Sequence, residues 1–196
     1  MNRLPSHARP GRGFTLTELA VVLVVIALVL GGLLSPLATQ MDVRMTAETR
    51  KDLADIKEAL IGFAVINGRL PCPADATIAS GVAGAGRAAE PNAIGGDCPN
   101  DSGVVPWVTL GVPEADAWGQ RYSYRVTPTF ARKVAPPQTP QNAAFDLNTV
   151  GTLDVRSAAG GGTLVAVGLP VVVVSHGGNG QGGYNRQGVQ LPTGEV

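Results

Sequence analysis

His176 is the first place to look for chemistry, since His7 is the only other histidine and His176 opens a Ser175-His176-Gly177-Gly178 run behind four consecutive valines. A strand that empties into His-Gly-Gly can turn backbone N–H groups toward an oxyanion, as in some ester hydrolases. Such a site also needs a serine on a sharp G-x-S-x-G turn and a separate histidine as base. The pentad is absent from all 196 residues and no second histidine is at hand, so no residue is assigned a catalytic role. The same stretch through Asn185 is rich in glycine and amides whose carbonyls suit calcium, but the only acid after Asp154 is Glu195, so no cofactor is expected beyond a possible calcium ion. Cys72 and Cys98 are the only cysteines. Two thiols and one histidine make a poor zinc site, and without C-x-x-C spacing they make a poor redox pair, which leaves a structural disulfide. The glycines of 81–86 and 160–162 lack the Lys-Ser/Thr of a phosphate loop and read as turns.

The elements that would position these residues begin with a charge asymmetry. The chain has 15 basic and 15 acidic residues, and its zero formal charge gives no basic surface for nucleic acid. Arg3, Arg9 and Arg12 nevertheless precede the first apolar run without an acid among them, leaving 12 basic against 15 acidic residues beyond it. That places the basic end on the cytoplasmic side of a membrane. Leu19 to Leu34 carries no charge and Phe14 to Leu37 is mostly apolar, about the length that spans a bilayer. A secretory signal would end in small residues at a cleavage site, whereas this run continues through Pro36 into a helical pattern, so the helix is expected to be retained. Glu18 is out of place in it. A carboxylate at the start of a membrane helix either finds a cationic partner or rests at headgroup level, where the helix dipole favours it.

Gly13-Phe14-Thr15-Leu16-Thr17-Glu18-Leu19 resembles the prepilin cleavage and methylation motif of type IV pilins and type II secretion pseudopilins. The resemblance implies that a prepilin peptidase/methyltransferase cuts between Gly13 and Phe14 and N-methylates Phe14, and that Glu18 pairs with the Phe14 amine of a neighbouring subunit during assembly. Thr17 stands where such motifs more often carry an aliphatic residue, and Pro36 lies about one residue from the usual first helix proline. The implied partners are other pilin or pseudopilin subunits and an inner-membrane assembly platform. The implied location is the bacterial inner membrane, N-terminus cytoplasmic and head periplasmic, and then a type II secretion pseudopilus or type IV pilus. A membrane-tethered periplasmic module that never polymerises is the alternative.

Beyond Pro36, Leu53, Ile56, Leu60, Phe63 and Ala64 recur at helical spacing, with Arg44, Glu48, Lys51, Asp55 and Glu58 on the charged side and Asn67-Gly68 as the stop. Residues 71–106 read as a long loop without a core of its own, tethered by Cys72 and Cys98. Strands are expected at 104–110, 121–126, 153–155 and 164–175, the valine run being a buried central strand. Residues 128–143, with four prolines, read as loop. Asp116-Ala117-Trp118-Gly119-Gln120-Arg121-Tyr122-Ser123-Tyr124 resembles the D-P-W-G-x-x-Y-x-Y turn and strand of major pseudopilins, with Ala117 in the proline's place. There Asp116 and Gly119 shape the turn, and Trp118, Tyr122 and Tyr124 pack sheet against helix. The expected fold is α+β: a leader at 1–13, a membrane and polymerisation helix at 14–37, its amphipathic continuation at 38–68, and a head at 69–196 built on a small antiparallel sheet.

Overall fold

The computed structural model describes residues 15–136, 142–158 and 160–194, with residues 30–38 described as backbone only. The chain divides into a first unit ending at Val43 and a second running from Arg44 to Val196. In the first unit, helix α1 begins at Leu16, and its side chains from Leu16 to Val29 are exposed throughout. Helix α1 runs to Asn67, so its last turns belong to the second unit. Gly68 ends it in a left-handed conformation, φ 63°, donating its N–H to the carbonyl of Ala64 at 2.8 Å.

The head forms because the apolar stripe of α1 has a sheet to cover. Strands β1 (Ser102–Val104), β3 (Ser123–Val126) and β6 (Val171–Val174) make an antiparallel sheet in the order β1-β3-β6. Ile56 and Leu60 of α1 pack with Tyr122, Tyr124, Val126, Val105 and Phe130, and Leu53, Ala64, Val171 and Val173 close the edges of this core. Complete burial of an aliphatic side chain such as Ile56 contributes about 1.5–3 kcal/mol. Two small ladders flank the sheet, β2 (Gln120–Arg121) with β7 (Tyr184–Asn185) and β4 (Leu153–Arg156) with β5 (Leu164–Leu169). The helix and small antiparallel sheets make an α+β arrangement.

Five expectations are corrected. The stretch 104–110 is not one strand: β1 stops at Val104, and after Pro106 residues Trp107–Leu110 form a single helical turn, α2, ended by Gly111. Proline has no N–H for a ladder but starts a helix readily. The stretch 164–175 divides at Pro170 into β5 and β6, which lie in different sheets, because proline cannot donate in mid-strand. The valine run of β6 is consequently an edge strand, half-buried and with Val174 exposed, and β3 is central. Residues 71–106 also contribute more than a loop: Ala74 and Ala76 form a second small core with Val104 and Trp107. Within 128–143, Pro128–Ala131 coils into a short helix, α3, that buries Phe130, while residues 137–141 lie outside the described ones.

Two phenols sit inside this packing. Tyr122 is fully buried and donates to Asp52 Oδ2 of α1 at 3.0 Å; Tyr124 is buried and donates to the Pro71 carbonyl at 2.8 Å. Burial raises both pKa values above the usual tyrosine range, and for Tyr122 the Asp52 carboxylate adds to the effect. A proton bound more tightly in the folded than in the unfolded chain stabilises the fold fully below the unfolded value of about 10 and is lost above it. Unfolding free energy is therefore expected to fall above about pH 10, by up to about 1.4 kcal/mol per pH unit for each phenol. Chemical denaturation followed across this range checks it. Appearance of both phenolate bands in a still folded head would refute it.

Candidate functional site

Around Glu18 the geometry is local. Thr15 precedes the first helical residue, and its Oγ1 accepts the Glu18 N–H at 3.3 Å, while Glu18 Oε2 accepts the Thr15 N–H at 2.9 Å and its hydroxyl at 3.0 Å. This is a reciprocal capping box, which satisfies two N–H groups that the first helical turn leaves free. Its T-x-x-E signature is visible in the sequence, and it gives Glu18 a partner within its own chain, Thr15, in addition to the cation or headgroup setting expected of it. Gly13 and Phe14 lie outside the described residues. Among the described residues no helix is long and apolar enough to cross a membrane. The apolar run that begins at Leu19 continues past Val29 into the stretch described only as backbone.

In the head, Asp116 organises the turn ahead of β3. Its Oδ1 accepts the N–H groups of Trp118 and Gln120 at 3.1 and 2.9 Å, its Oδ2 accepts the Ser175 hydroxyl at 2.6 Å, and Gly119 takes φ 85°. Thr49 of α1 accepts the Ala117 N–H at 3.3 Å, an approach that proline at this position would not permit. Tyr122 and Tyr124 belong to the main core, whereas Trp118 is only half-buried and lies against Gly178. Cys72 and Cys98 form a disulfide with 5.5 Å between their Cα atoms, closing a separation of 26 residues.

Arg121 is the residue that sequence reasoning passed over. It is fully buried, and its guanidinium donates to Glu114 Oε1 at 3.0 and 2.8 Å and to the carbonyls of Ala76, Ile78 and Arg186 at 2.9, 2.9 and 3.1 Å. Its Cζ also lies over the Trp107 ring, 4.7 Å from the ring centre. One side chain thus joins the tethered loop, β2 and the segment after β7. No periodicity announces it, because a lone arginine between a glutamine and a tyrosine usually marks an exposed strand position.

His176 is committed to structure. Its Nδ1–H donates to the Gln181 carbonyl at 2.8 Å, and Nε2 forms a hydrogen bond with the hydroxyl of Ser123 at 2.7 Å. A carbonyl orients the ring but lacks the negative charge with which a carboxylate supports an imidazolium. Ser175, the hydroxyl next to His176 in sequence, turns instead to Asp116. Among the described residues no three His, Cys, Asp or Glu side chains gather where they would hold a metal.

No curated protein and no solved structure matches the chain. A family model described as the prokaryotic N-terminal methylation motif matches residues 9–34, which contain Gly13, Phe14, the capping box and the exposed apolar start of α1. Residues 9–34 thus carry the prokaryotic N-terminal methylation motif, which is characteristic of prepilin-type proteins, the type IV pilins and pseudopilins.

Proposed function

We propose that this chain is a structural subunit of a type II secretion pseudopilus or a type IV pilus, cut by prepilin peptidase between Gly13 and Phe14 and assembled through its N-terminal helix. The observation that carries this reading is the match over residues 9–34, with a single carboxylate, Glu18, at the head of an exposed apolar helix. Before cleavage the helix anchors the precursor in the inner membrane. Cleavage creates an amine at Phe14, and withdrawing that cation from water is favourable only if an anion accompanies it. Glu18 of the adjacent subunit supplies one, and its release from Thr15 is the local cost of the exchange. The head has a packing role and no catalytic one. The turn at 116–119 favours the pseudopilus, whose major subunits it resembles, while the disulfide-tethered loop favours a surface filament.

Mass spectrometry of the mature chain is expected to find N-methylated Phe14 as the first residue; any other start overturns the processing step. Glu18→Ala is expected to leave membrane insertion and cleavage intact and to abolish incorporation into filaments. Wild-type incorporation by Glu18→Ala would favour the non-polymerising tethered module instead.

A further inference from the structure

The face of the three-stranded sheet turned away from α1 carries a groove of about 840 Å³. Strand register places Ser102, Arg125 and Val172 in one row of this face and Ser123 and Val174 in the next, so the floor alternates valine methyls with hydroxyls and one guanidinium. Asp154 lies on one wall with β4, Asp75 on the opposite wall with the tethered loop, and Tyr184 and Gln190 line one end. Arg125, the arginine of the lining, is paired with Asp101 at 3.3 Å, so the groove has an excess of carboxylates and repels polyanions. Its volume lies in the range of small-ligand sites.

Carboxylates accept hydrogen bonds from hydroxyl groups, the amide of Gln190 and the hydroxyl of Ser102 both give and accept them, and the valine floor takes an apolar C–H face. A neutral ligand that has both a ring of hydroxyls and an apolar face meets all three demands. We propose that this groove binds a neutral oligosaccharide of about three sugar units, making the head a glycan-reading surface. The site lies wholly within the second unit, and its ligand does not depend on whether the helix polymerises.

The test titrates the full chain, held in a detergent without sugar headgroups, with maltotriose, cellotriose and triacetylchitotriose, and follows backbone amide resonances. At least one trisaccharide is expected to bind saturably, with shifts concentrated on Ser102, Arg125, Asp154 and Val172. Arg125→Ala, which removes a half-exposed ion pair, is expected to keep the thermal midpoint and to weaken binding roughly tenfold. Absence of saturable binding by all three sugars at millimolar concentration overturns the proposal. So do shifts confined to another surface, undiminished affinity in Arg125→Ala, or capture of pentalysine in place of the sugars.

Discussion

Arg121→Ala is expected to destabilise the head by about 3–5 kcal/mol, the usual loss when one member of a buried ion pair is removed. Three terms act together. Glu114, whose side chain is only 20 % exposed, loses its countercharge. The carbonyls of Ala76, Ile78 and Arg186 lose their donor while still shielded from water. The Trp107 ring loses the cation stacked on it, and a void opens beside Val104 and the two alanines of the small core. At roughly 2–4 °C per kcal/mol for a chain of this length, the thermal midpoint should fall by on the order of 10 °C. Arg121→Lys should recover little, since an ammonium cannot fork to a carboxylate and several carbonyls at once. The contrast is Arg125→Ala: its pair with Asp101 is exposed on both sides and is worth less than about 1 kcal/mol. Equal midpoints for the two alanine variants would show that the buried position of Arg121 carries no extra stability.

Replacing both cysteines, Cys72→Ala with Cys98→Ala, is expected to cost about 3–4 kcal/mol on the chain-entropy account of a closed loop of this size. The loss arises mainly in the unfolded chain, which regains the freedom that the bridge removes, so the contacts of the folded head should largely persist at low temperature. Hydrogen exchange should localise the change to residues 73–90, which besides the disulfide are joined to the rest by the Ala74–Val104 bridge, by Arg121, and by the bonds of Ser80 to Arg186, Gly86 to Val108 and Ala88 to Thr109. Combining the cysteine replacements with Arg121→Ala should cost less than the two separate losses added, because both act on the same segment. Strict additivity would mean that the bridge and the arginine hold independent parts of the head.

The exposed apolar start of α1, the N-terminal methylation motif and the apolar spacing of Leu53, Ile56 and Leu60 were legible because each is a local pattern: hydropathy, a short sequence signature and a helical period. The D-A-W-G turn was legible for the same reason, its aspartate and glycine acting within five residues. Strand boundaries were less so. Both errors, at 104–110 and at 164–175, come from proline: Pro106 and Pro170 stand inside apolar runs whose β propensity is real, and the missing N–H of each decided the outcome. Whether the four valines of β6 were central or at an edge could not be settled by their composition, since that depends on which strand lies beside them.

By itself, then, the sequence determined that a basic segment and an apolar run with one carboxylate, Glu18, precede an amphipathic helical pattern, and that a methylation motif lies at their junction. Only the tertiary structure decided what each polar group does. Arg121 is a hub because Glu114, Ala76, Ile78 and Arg186 converge on it from distant parts of the chain. His176 is a strut because Ser123 and Gln181 occupy both of its nitrogens. The outer sheet face is a groove because β4, the tethered loop and the last residues rise around it. These roles depend on convergence across the chain, and a buried charge gains its value from partners that no local spacing can specify.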